Sequence, residues 1–125
     1  MYKKILFIII FLLLSISSFS KINISWQNVI SEYRDCQMID SVNLVIVGND
    51  GKVIISSDNG KNWIWSETGS RANFYTTSFL NKDIGAAAGD SGIIVLTSDG
   101  GKSWMKKTLS IDTINAVKVI NENLE

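Results

Sequence analysis

Chemistry in this chain would have to rest on carboxylates, because its 125 residues hold 12 Asp and Glu, no histidine and a single cysteine, Cys36. Without histidine there is no His-based nucleophile dyad, and one cysteine makes neither a Cys/His zinc site nor an internal disulfide. Two carboxylates stand in matching octets, Ser56-Ser57-Asp58-Asn59-Gly60-Lys61-Asn62-Trp63 and Thr97-Ser98-Asp99-Gly100-Gly101-Lys102-Ser103-Trp104, both of the form S/T-x-D-x-G-x-x-W. As a catalytic or metal-binding pair, Asp58 and Asp99 would have to converge. As turn residues each serves its own hairpin: the aspartate accepts from turn amides, the glycine takes a positive φ, the Ser or Thr hydroxyl bonds locally, and the tryptophan packs back over the turn. Repetition puts the two on separate units, so Ser56, Asp58, Gly60, Trp63, Thr97, Asp99, Gly101 and Trp104 read as structural. No catalytic, cofactor or metal residue is expected. An EF-hand is excluded, since Gly60 follows Asp58 by two residues rather than five.

The remaining candidates are weaker. Asp35, Asp40, Asp83, Asp90 and Asp112 could supply a paired-carboxylate hydrolase, but read as solvated loop charges. A sialidase-like site needs an arginine cluster and a tyrosine nucleophile, whereas the chain has only Arg34 and Arg71, with tyrosines at 2, 33 and 75. Cys36 reads as a small buried residue, the alternative being a reactive thiol. Trp65 has Lys106 in its place one unit later; it reads as edge packing against the next unit, the alternative being an exposed ligand or sugar contact. Gly48/Gly51 and Gly89/Gly92 bracket short polar pairs between apolar strands, which is hairpin chemistry. A phosphate-cradling loop fails there because no helix or GK[ST] follows.

The elements that position these residues come from a duplication. Residues 48–63 realign on 89–104 at a constant offset of 41, with seven of sixteen positions identical, where chance at roughly 7% usage gives about one. Met38-Ile39-Asp40 answers Phe79-Leu80-Asn81, and Val119-Ile120-Asn121 answers both one period on. Each unit reads as four short strands rich in β-branched residues, at 34–39, 42–47, 52–57 and 63–66, then 75–80, 84–88, 93–98 and 104–108. Four strands in about 41 residues match a propeller blade of about 40 to 50. The expected fold is all-β, with blades at 33–70 and 74–110 and the start of another at 112–125.

Residues 1–20 read as an export signal: Lys3 and Lys4, then the apolar run from Ile5 to Leu14, then a small-residue stretch with cleavage after Ser20, the alternatives being cleavage after Ser17 or an uncleaved N-terminal anchor. The run is too short to span a bilayer, which takes roughly 20 residues, so no membrane span is expected once the signal is removed. Cleavage leaves 10 basic against 12 acidic residues, a balance that points to no nucleic-acid partner. Residues 21–30, with Ile22, Ile24, Trp26 and Val29, read as a lone strand, Trp26 resembling Trp63 and Trp104.

The octets are the Asp-box or BNR-repeat signature, and the longer form G-x-x-G-x-[IV]-x-x-[ST]-x-D-x-G-K-x-W most resembles the repeats of photosystem II stability and assembly factor-like proteins. The resemblance covers roughly residues 33–125. It implies a secreted or lumenal propeller of about seven blades that acts through protein contact without chemistry of its own. Sialidases, sortilin-type receptors and xyloglucan-degrading hydrolases share the box more loosely, which leaves an N-terminal fragment of an Asp-box glycoside hydrolase, or a carbohydrate-binding propeller, as the alternative. No partner-binding residue carries over, because Arg34 and Arg71 alone do not outline a basic contact surface. A closed propeller takes roughly 4 to 8 blades, and about 105 residues hold about 2.5 periods. The expectation is a piece of a longer propeller; the alternative is a ring of several copies.

Overall fold

The computed structural model describes residues 32–121; the expected signal at 1–20 and lone strand at 21–30 lie outside the described residues. Among the described residues eight strands form two antiparallel meanders. The first sheet runs β1 (Tyr33–Met38), β2 (Leu44–Gly48), β3 (Val53–Ser56) and β4 (Ile64–Trp65), and the second β5 (Phe74–Phe79), β6 (Gly85–Gly89), β7 (Ile93–Thr97) and β8 (Met105–Thr108). Both carry the same irregularity near the start of their first strand, between Tyr33 and Asp35 in one and between Phe74 and Thr76 in the other. The architecture is all-β, as the periodicity predicts.

Strand limits fall within a residue or two of the sequence expectation, and the offsets have causes. β2 begins at Leu44 rather than Val42 because the Asp40 carboxylate takes the amides of Val42 and Asn43, at 2.9 and 2.8 Å, as an Asx turn. Asn81 does the same for Asp83 and Ile84, both at 2.9 Å. Residues 113–120 are extended along the second sheet but form no strand, since a ladder needs a backbone partner. Ile114 N–H reaches the Gly89 carbonyl at 2.8 Å, but further along side chains take the amides: Val117 N–H donates to Thr76 Oγ1 at 3.3 Å and Val119 N–H to Ser78 Oγ at 3.0 Å.

The larger core cluster lies between the two sheets, and a smaller one, of Ala86, Ala88 and Ile94, packs against Ile114, Val117 and Val119. In the larger, Val45, Val47 and Val53 of the first sheet meet Phe74, Phe79, Ala87 and Val95 of the second, with Ile39, Ile55 and Trp104 at the margin. Burying each Val or Phe contributes about 1.5–3 kcal/mol. β6 reads Gly-Ala-Ala-Ala-Gly, and Phe79 lies across its start: a Cβ on Gly85 would meet the Phe79 ring at 2.4 Å. The innermost strands β1 and β5 share no ladder; side chains bridge them. Asp35 Oδ2 accepts the Thr77 N–H at 3.0 Å, while Gln37 accepts from Phe79 N–H at 2.6 Å and donates to its carbonyl at 2.9 Å. Asp35 is therefore a buried strand residue, 4% exposed, and not the solvated loop charge that the sequence suggests. Its burial is offset by the amides it accepts, including Cys36 N–H at 3.0 Å.

Candidate functional site

The two ends of the sheets differ in what they leave available. At one end sit the octets. In the first, Ser56 Oγ donates to Asp58 Oδ1 at 2.9 Å and accepts the Gly60 N–H at 2.8 Å. Asp58 in turn accepts Asn62 N–H at 2.8 Å and Asn62 Nδ2 at 2.6 Å. The second copies this bond for bond, with a hydroxyl in place of the Asn62 amide: Thr97 Oγ1 donates to Asp99 Oδ1 at 2.9 Å and accepts Gly101 N–H at 2.8 Å, and Asp99 accepts Ser103 N–H at 2.9 Å and the Ser103 hydroxyl at 2.5 Å. The chain reverses through Asn59 and Gly60 (φ 59° and 80°) and through Gly100 and Gly101 (φ 70° and 82°). Each box is pinned to the neighbouring turn, with Asn59 N–H donating to Val42 O at 2.8 Å and Gly100 N–H to Asp83 O at 2.9 Å.

These donors fix the charge state of the carboxylates. Hydrogen bonds from Ser103, through its hydroxyl and then its amide, hold Asp99 down to about 2, and those from Asn62 lower Asp58. The amides of Val42 and Asn43 and the Asn43 side chain lower Asp40 likewise. A depressed carboxyl is a poor general acid or base near neutrality. Asp58 and Asp99 stand in hairpins of different sheets, each turned to its own loop. Among the described residues no three His, Cys, Asp or Glu side chains are grouped as metal ligands.

The tryptophans add a contact between sheets. Trp104 lies against its own turn glycine and meets Phe79 edge-on, with ring centroids 6.3 Å apart. Its Nε1–H donates at 2.7 Å to the hydroxyl of Ser66, which follows β4, and Ser66 donates to the Gly101 carbonyl. Trp65 is 47% exposed and faces Ile54 across the ladder. Cys36 is half-buried in β1, opposite Ile46.

The opposite end carries open polar groups. The Arg34 guanidinium lies 5.8 Å from the Tyr75 ring centroid, and its Nε donates to Asn49 Oδ1 at 2.8 Å. Asp50 N–H donates to Asn73 Oδ1 at 2.9 Å, joining the loops of the two sheets. Lys52 pairs with Glu32, and burial raises the neighbouring Tyr33 phenol, with the Lys52 charge opposing. Arg34 is exposed, and only its Nε is committed among the described residues. Sequence reasoning set Arg34 aside; the signal that could have found it is Tyr75, one period of 41 later. Arg71 is exposed, with no ring or ion-pair contact to Arg34 or Tyr75 among the described residues.

Two stacked four-stranded meanders, each closed by an Asp-box, are consecutive blades of a BNR-repeat β-propeller. Residues 13–96, more than half of the chain, match the family described as Photosynthesis system II assembly factor YCF48 (PSII_BNR). The chain belongs to that family. Nine solved chains resemble the fold. One, described as "YCF48 bound to D1 peptide", is 26% identical with a TM-score of 0.57, the match covering 64% of this chain and 26% of that one. This chain thus spans about a quarter of that relative's length. No curated protein matches.

Proposed function

We propose that this chain is an exported, non-catalytic propeller module that binds a protein partner, with the Arg34–Tyr75 end as the contact surface. The likeness to a YCF48 structure bound to D1 peptide carries the reading. An extended peptide offers backbone carbonyls and carboxylates, and the guanidinium N–H groups of Arg34 that Asn49 leaves open are donors of matching type. The octets serve as turn scaffolds under this proposal. Their carboxylates are saturated by their own loops, and this argues against the hydrolase alternative. Residues 1–20 act as the export signal, with the mature chain starting at Lys21.

The test is calorimetric titration of the full chain with the D1 peptide that the relative binds. Saturable binding, weakened about tenfold or more by Arg34→Ala, is the expected result, in line with the loss of one charge-assisted contact. Absence of binding, or hydrolysis of a sialoside or xyloglucan by the chain, contradicts the reading. N-terminal sequencing of the exported protein checks the processing site.

A further inference from the structure

Asn59 and Gly60 form the one Asn-Gly step of the chain, and it falls at the reversal of the first Asp-box. An asparagine before glycine is the pair most open to attack of the following backbone nitrogen on the side-chain amide, because no Cβ crowds the approach. Asn59 is exposed, takes a left-handed conformation at φ 59°, and its side chain makes no hydrogen bond among the described residues. No other asparagine precedes a glycine. The side chains of Asn43, Asn49, Asn62, Asn73 and Asn81 are each held by a hydrogen bond as well.

The closed box withholds the nucleophile. Gly60 is buried, and its N–H donates to Ser56 Oγ at 2.8 Å. Attack requires that nitrogen to lose its proton, which forfeits the bond. The Asn59 N–H is committed too, to the Val42 carbonyl at 2.8 Å. Reaction therefore waits on local opening of the turn. The second box keeps the same protecting bond, Gly101 N–H to Thr97 Oγ1 at 2.8 Å, but has Gly100 in place of Asn59 and so no side-chain amide to lose. Asp50 and Asp99, each before a glycine, offer carboxylates, which are poorer electrophiles than an amide near neutrality.

We propose that Asn59 is a deamidation site whose rate is set by the Ser56 hydroxyl. When the turn opens, the Gly60 nitrogen gives up its proton and bonds to Asn59 Cγ. The Cγ–Nδ2 bond breaks, ammonia leaves carrying that proton, and a cyclic succinimide closes. Solvent water then opens the ring at either carbonyl, giving aspartate or isoaspartate with nothing oxidised or reduced. Both products add a negative charge beside Asp58. Isoaspartate also routes the main chain through the side-chain carbon, inserting a methylene where the box is pinned to Val42. The site is independent of the partner surface at Arg34.

Peptide mapping of the full chain after incubation at mildly alkaline pH, scoring amide loss and isoaspartate, tests it. Residue 59 is expected to react before any other asparagine, and about tenfold or more slower in the folded chain than in urea. Ser56→Ala should raise the folded rate about fivefold, as losing one hydrogen bond would. Ser56→Thr, the hydroxyl that the second box uses, should leave it unchanged. The ratio of folded to urea rates in the unaltered chain decides the matter even where Ser56→Ala does not fold. Equal rates folded and in urea, amide loss arising first at another asparagine, or a folded Ser56→Ala that reacts no faster than Ser56→Thr would overturn the proposal.

Discussion

The two blades solve the same geometric problem with different side chains. Position for position, Asp35 and Gln37 in the first become Thr76 and Ser78 in the second, yet each set reaches across to backbone amides of the next inner segment. Asp40 becomes Asn81 and Asn62 becomes Ser103, with their acceptor or donor roles intact. What repeats is a hydrogen-bonding function at a fixed place in the blade. Packing is where the blades part. β2 is Leu-Val-Ile-Val-Gly, whereas β6 is Gly-Ala-Ala-Ala-Gly, with the Phe79 ring over Gly85 and in the same core cluster as Ala87.

The largest test of that contrast is Phe79 against its repeat counterpart Met38. Phe79 is 5% exposed and Met38 48%, so Phe79→Ala should cost about 3–5 kcal/mol and Met38→Ala within about 0.5 kcal/mol, read from urea midpoints. Gly85→Ala should follow at about 1–3 kcal/mol, because its Cβ would sit 2.4 Å from that ring. Smaller again is the bridging pair. Gln37→Ala removes two bonds to Phe79 and Ser78→Ala one to Val119, at about 0.5–1.5 kcal/mol per bond, so Gln37→Ala should lower the melting temperature further.

Acid should separate the Asp-boxes without large effects. The folded Asp99 carboxyl titrates at about 2, below its ordinary 3.8. Its contribution is therefore full above the unfolded value and is lost as pH falls from about 4 toward 2. Asp99→Asn should flatten the acid limb of the melting curve in that window. Asp58→Asn should flatten it in the same direction, Asp58 being lowered chiefly by Asn62.

Much of this was legible in the sequence because the octets bind their own loops. Ser56, Asp58 and Gly60 lie within five consecutive residues, so composition and spacing reveal the turn. The strands were legible for the same local reason. Contacts between blades were not. Trp104 finds Ser66 and Arg34 finds Tyr75 across 38 and 41 residues, and no local propensity marks such pairs. Asp35 misled because a lone carboxylate in a weakly alternating stretch looks solvated; the stacking of β5 beside β1 supplies the Thr77 amide that helps make its burial tolerable.

The most direct test of the account is amide shift mapping of the full chain as the D1 peptide is added. Shifts confined to the end bearing Arg34, Asn49 and Tyr75, with Asp58 and Asp99 unmoved, are predicted. Shifts centred on the Asp-boxes, or none at saturating peptide, would contradict it.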